Sequence, residues 1–160
     1  MRGIKAAPGP DRYFRVMLQS LVAGSLLVAL TVLIHTAGLI AIAAATPRLA
    51  RRLRLHNHDV GRTLVMTGTV LVLLGLLTLE VWIWALAYAG LAATADFPDA
   101  LYLSTAMFST IGYGKTGFDP SWRLLTALEG INGFILIGWS TAYLIGVATR
   151  HGPFRRGEHF

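Results

Sequence analysis

Three apolar stretches, Val16–Ala45, Thr63–Gly90 and Leu124–Thr149, hold one His and two Glu between them and no Lys, Arg or Asp. Each exceeds the roughly 20 residues needed to carry a helix across a bilayer core of about 30 Å. A chain patterned this way cannot cover a water-facing globule. Hydrophobic residues make up 54% of it and charged residues 14%, against about 25% charge in soluble domains. The fold expected is an all-α membrane protein with three transmembrane helices. Cysteine is absent, which excludes disulfides, thiolate metal sites and cysteine nucleophiles. The net charge of +6 is not read as a nucleic-acid signal. Basic residues between apolar segments set membrane orientation and touch anionic lipid.

The chain divides into a basic leader (1–15), a first helix (16–47), a basic loop (48–62), a composite region (63–149) and a basic tail (150–160). Thr46-Pro47 is expected to end the first helix, because proline disfavours helix at the residue before it. The composite region reads as helix 63–90, a short helix 98–109 opened by Asp96-Phe97-Pro98-Asp99, a segment 110–114 and helix 122–149. The short helix cannot cross a bilayer. Irregular backbone at membrane depth survives only when buried in protein or lining a water-filled path.

Thr110-Ile111-Gly112-Tyr113-Gly114 is suited to such a path. Turning successive carbonyls to one side of an extended strand requires φ > 0 at intervals, which glycine adopts without steric cost. Gly112 and Gly114 are spaced to supply it, and the Thr110 hydroxyl adds an oxygen at the bottom of the row. A ring of such oxygens can replace the hydration shell of a monovalent cation.

With Ala100, Leu101, Ser104, Ser109, Thr110, Gly112, Tyr113, Gly114 and Trp122 at matching spacing, Thr63–Thr149 resembles the potassium channel family in its small bacterial two-helix pore form. TIGYG stands where that family carries TVGYG, and the first apolar stretch is extra to the minimal pore unit. The resemblance implies a re-entrant pore helix and filter loop in each subunit, and assembly as a homotetramer. It implies K⁺ as the permeant ion, coordinated by the carbonyls of Thr110, Ile111, Gly112 and Tyr113, with no cofactor. It also offers Gly133, the nearest match to a glycine partway down the inner helix, as a gating hinge. Close packing is the other role a glycine has there.

Two departures from the family pattern bear on the filter. Lys115 follows GYG where many members have Asp, and Ala106 stands where some have Glu in the pore helix. Four Lys115 ammoniums at the outer mouth would repel cations; a solvated Lys115 pointing away would not. Glu80 and Glu129, the acids inside apolar helices, lie roughly 15 Å and 10 Å below the outer ends of their helices, at filter depth. One of them, Glu129 in preference, is expected to support the filter from behind, with a Lys115–Glu129 contact as one version. The alternative is a protonated Glu bonded to a nearby Ser, Thr or Trp.

His35 is either a packed, hydrogen-bonded imidazole or a proton sensor. Trp82, Trp84, Tyr88 and Trp122 fall where an outer aromatic belt would lie. With the filter outside, eight basic residues (Arg48, Arg51, Arg52, Arg54, Arg62, Arg150, Arg155, Arg156) face inward against six outside (Arg2, Lys5, Arg12, Arg15, Lys115, Arg123). A hairpin bend at His35–Gly38 would instead keep the leader inside; a single span is preferred, and a cleaved signal peptide is not expected at this length. No helix carries the regular Arg or Lys of a voltage sensor, and no paired carboxylates or Ser/His/Asp set indicates an enzyme. The expected function is passive, potassium-selective conduction across a cell membrane. The alternatives are a non-selective cation channel and a non-conducting scaffold.

Overall fold

The computed structural model describes residues 10–52, 59–112 and 118–151. They form four helices in chain order: α1 (Pro10–Arg52), α2 (Asp59–Gly90), α3 (Phe97–Phe108) and α4 (Arg123–His151), with a 3₁₀ turn at Pro120–Trp122. No strand occurs among the described residues. Within these helices, Tyr13–Arg48, Val60–Gly90 and Pro120–Thr149 are long and apolar enough to cross a membrane. The protein is thus an all-α, multi-pass membrane protein. α3, with 12 residues, is about 18 Å long and fills only part of the bilayer depth. Parts of the leader, basic loop and tail (1–9, 53–58 and 152–160) lie outside the described residues.

One expectation about α1 is corrected. The helix does not stop at Thr46-Pro47 but runs through Pro47 to Arg52. An interior proline costs about 3 kcal/mol, and the strong helix formers around it, Ala43–Ala45 before and Leu49–Arg52 after, offset that. The helix is also unbroken through His35–Gly38, so the hairpin bend does not form.

Neighbour relations fix the direction of α1. Gly24 lies against Leu125 and Leu128, Thr31 bonds Asn132, and His35 meets Ser140, so residue numbers rise together and α1 runs parallel to α4. Against α2 the order reverses, with His35 beside Glu80 and Gly38 beside Leu76. The N-terminal end of α1 therefore lies at the same end of the bundle as the start of α4. Its buried residues, Ser20, Gly24, Thr31, His35, Leu39 and Ile42, recur at the three- and four-residue spacings of one helical face.

The main core gathers Trp84, Tyr88, Leu103, Phe108, Leu125 and Leu136 between α2, α3 and α4. A smaller cluster of Leu39, Ile42 and Leu73, with Tyr143 and Leu144, joins α1, α2 and α4 at the opposite end. Three of the four aromatics expected in an outer belt belong to the interior instead: Trp84 and Tyr88 are fully buried and Trp122 nearly so. Trp82 alone of the four is exposed. The ring of Tyr88 is drawn inward by the hydrogen bond its hydroxyl makes.

Candidate functional site

α3 begins where Asp96 caps it, its Oδ1 accepting the Asp99 N–H at 2.9 Å, with Pro98 in the first turn. Its other end delivers the chain into the glycine-bearing segment. There Ser109 N–H donates to Thr105 O, Thr110 N–H to Met107 O and Gly112 N–H to Ala106 O, at 3.0–3.1 Å. The amides of Thr110 and Gly112 are thus held on the end of α3. No peptide among the described residues is cis. In a trans peptide the carbonyl opposes the N–H, so the Ile111 carbonyl faces away from α3.

Gly112 has φ +73°, and a Cβ there would meet nothing within 4 Å. The glycine is needed for its backbone angle and not for space. Thr110 also has positive φ, +63°, which sequence reasoning missed. A β-branched residue in this region is a genuine outlier, costing about 1–3 kcal/mol. Positive φ at 110 and 112 on either side of Ile111 gives the alternation of backbone twist that a one-sided carbonyl row requires. Tyr113, Gly114 and Lys115 lie outside the described residues.

Behind α3 sits a buried carboxyl group. Glu129 on α4 is fully buried. Its Oε1 lies 2.5 Å from Ser104 Oγ on α3, and its Oε2 accepts a hydrogen bond from the Tyr88 hydroxyl on α2. Ser104 Oγ is also 2.8 Å from Val81 O. The Ser104 hydroxyl donates to Glu129 Oε1 and stands within reach of Val81 O as well. These contacts join α2, α3 and α4 around one buried carboxyl group.

Glu80 is placed differently. Its Oε1 lies 2.9 Å from His35 Nδ1 on α1, and its Oε2 has no hydrogen-bond partner among the described residues. Of the two acids expected near the filter, it is therefore Glu129 that bonds α3, while Glu80 bonds the extra helix. His35 is a packed, hydrogen-bonded imidazole. Thr31 and Asn132 form a further polar pair, with Asn132 Nδ2 donating to Thr31 Oγ1 at 2.9 Å. Sequence reasoning missed this pair and the Tyr88 contact; the available signal was a polar group on an otherwise apolar helix.

Gly130 and Gly133 form the surface of α4 on which α3 ends. A Cβ at Gly133 would lie 2.1 Å from Phe108 O, and one at Gly130 would lie 3.5 Å from Met107 O. Beside this contact lies an open cleft of about 630 Å³, lined by Met107, Thr110, Gly112, Thr126, Gly130 and Phe134 among others. Ile131, Phe134 and Ile135 project there, each more than half exposed. Among the described residues no group of three or more His, Cys, Asp or Glu could hold a metal ion.

No curated protein matches this sequence, and no solved structure matches it. A family model described as ion channel matches residues 69–150, which takes in most of α2, all of α3, the glycine-bearing segment and α4 to Arg150. With just over half its length so matched, and the matched part forming two spanning helices around a half-length one, the chain belongs to the ion channel family.

Proposed function

We propose that this chain is one subunit of a homotetrameric, potassium-selective channel that conducts K⁺ passively across a cell membrane. The observation that carries this reading is the start of the TIGYG segment. The amides of Thr110 and Gly112 are tied to α3, the φ values alternate in sign over 110–112, and the Ile111 carbonyl faces away from α3. Carbonyls of Thr110, Ile111, Gly112 and Tyr113, with the Thr110 hydroxyl at the inner end, would replace the hydration shell of K⁺. One strand cannot surround an ion, so four copies are needed. The apolar cleft beside Thr110 and the exposed Ile131, Phe134 and Ile135 give each subunit a surface for its neighbour.

Glu129 acts as the filter support, through Ser104 on α3. Gly133 provides both the seat for the end of α3 and a point at which α4 can bend. Lys115, the residue after TIGYG, tunes cation entry by its charge. The arginines of 48–62 face the cytoplasm and contact anionic lipid.

The test is K⁺ flux into liposomes containing the purified protein, with reversal potentials measured in mixed K⁺ and Na⁺. Gly112→Ala serves as the control, since a Cβ at φ +73° costs about 1–2 kcal/mol and misaligns the carbonyls. A K⁺-dominated reversal potential with flux lost in Gly112→Ala is expected. Equal K⁺ and Na⁺ permeability would make the protein a non-selective cation channel, and absence of flux would make it a non-conducting assembly.

A further inference from the structure

α1 precedes the residues that the family model matches, yet it is bonded into the others through buried polar groups. His35 is its centre. The imidazole is fully buried, as is Glu80, and Ser140 is nearly so. Nδ1 lies 2.9 Å from Glu80 Oε1 on α2, and Nε2 lies 3.4 Å from Ser140 Oγ on α4. With the Nδ1 proton donated to the carboxyl group, a neutral imidazole leaves Nε2 as the acceptor for the Ser140 hydroxyl. The Trp139 ring lies 5.7 Å from the imidazole, tilted 45°. One side chain of the extra helix thus touches both long helices of the pore unit.

The two bonds differ in kind. The His35–Glu80 contact is short, and since Glu80 Oε2 has no partner among the described residues, the hydrogen bond that this carboxyl group makes there runs through His35. Breaking it would strand an acid and an imidazole in an apolar interior, which is costly. The His35–Ser140 contact is near the upper limit for a hydrogen bond. Ser140 also has a ready alternative. Thr126, Thr141 and Thr149 on the same helix bond back to carbonyls three or four residues earlier, and a released Ser140 could do the same toward Leu136. The link to α2 is therefore firm, whereas the link to α4 can be made or broken at little cost.

Its position gives this asymmetry a use. Asn132, bonded to Thr31, immediately precedes Gly133, where α4 meets the end of α3. Ser140 lies two turns beyond Gly133, followed by Tyr143 and Leu144 packed on Leu39, Ile42 and Leu73. The half of α4 before Gly133 is held by α3 and α2 through Glu129 and by α1 through Asn132, whereas the polar contact of the half after it with α1 is the one between Ser140 and His35.

We propose that His35 and Glu80 are positioning residues that make α1 a fixed stop for the second half of α4, and that ion passage is governed by release of Ser140 from His35. This rests on the conducting role proposed above. No hydrogen bond of the described filter residues involves α1, so the stop controls how often the pore opens and leaves untouched what passes through it.

Two variants test it in the full-length protein. Ser140→Ala removes the releasable contact with almost no change in volume. His35→Leu with Glu80→Leu replaces the buried pair by apolar side chains, an exchange that cores often tolerate. In planar bilayers each should raise open probability by about fivefold or more, the lower range of allosteric coupling. Unitary conductance and reversal potential should stay at wild-type values, which a general loss of structure would not allow. In parallel, backbone hydrogen exchange of residues 134–151 should quicken by a similar factor in both variants, with 98–108 unchanged.

Unchanged open probability in a conducting, tetrameric Ser140→Ala protein overturns the proposal, whether or not the double variant folds. If the wild type carries no current, the conducting role falls, and hydrogen exchange still decides the contact. Faster exchange of 134–151 then supports α1 as the stop for α4, and unchanged exchange overturns it.

Discussion

Replacing Gly133 by alanine puts a methyl group 2.1 Å from Phe108 O and 2.8 Å from Phe108 C and Cα. Carbon–oxygen contacts in proteins settle at about 3.3–3.6 Å, so the end of α3 and α4 must separate by more than about 1 Å. The obstacle is backbone, and no rotamer change relieves it. Phe108 is two residues before Thr110, whose amide is tied to Met107 O, so the displacement reaches the start of the TIGYG segment. Overpacking of this kind costs about 1–3 kcal/mol, only partly offset by the roughly 1 kcal/mol that alanine gains over glycine within a helix. Gly130→Ala is the matched control: its methyl group meets Met107 O at 3.5 Å, an ordinary contact, and it collects the same gain in helix propensity. Thermal unfolding of the purified protein and single-channel recording read the two variants side by side. Gly133→Ala should be less stable than Gly130→Ala, with altered unitary conductance. A role as hinge alone predicts a different result, in which Gly133→Ala is as stable as Gly130→Ala, conducts at the wild-type unitary level and only opens less often. That outcome would refute the packing role assigned here.

Three further expectations follow from the same geometry. Glu129→Gln should keep the protein folded, because an amide of the same shape can bond both Ser104 and Tyr88; Glu129→Ala leaves two buried hydroxyls without that partner and should cost about 2–5 kcal/mol, read as a lowered unfolding temperature. Tyr88→Phe keeps the ring in the core but strands Glu129 Oε2, for a loss of about 1–3 kcal/mol in the same assay. Pro47→Ala should raise stability by up to about 3 kcal/mol, since the helix already passes through that position; a destabilised protein would show that the proline is needed where it stands.

Some of this molecule is legible before any coordinates exist, because some of its constraints are local. Whether a stretch can cross a bilayer depends on its length and hydropathy alone, so the three long helices and the half-length α3 follow from the order of residues. The angle at Gly112 follows likewise, because the steric cost of a Cβ at positive φ is a property of one residue. The short start signal Asp96-Phe97-Pro98-Asp99 works the same way, its cap closing within four residues.

The partners of the buried polar groups are another matter. In water, an amphipathic helix announces its buried face by where the polar residues stop. In lipid, the outward face is as apolar as the inward one, and α2 reads the same on all sides until its neighbours are known. Residue order therefore could not say that Glu80 turns to His35 while Glu129 turns to Ser104, or that Trp84 and Tyr88 belong inside and Trp82 outside. Nor could it show that Gly133 is where another helix ends. The positive φ of Thr110 and the passage of α1 through Pro47 are decided in the same way, by contacts and neighbouring turns that outweigh a residue's own preference. Length and local sterics were settled by the chain itself, and the choice of faces waited for the helices to pack.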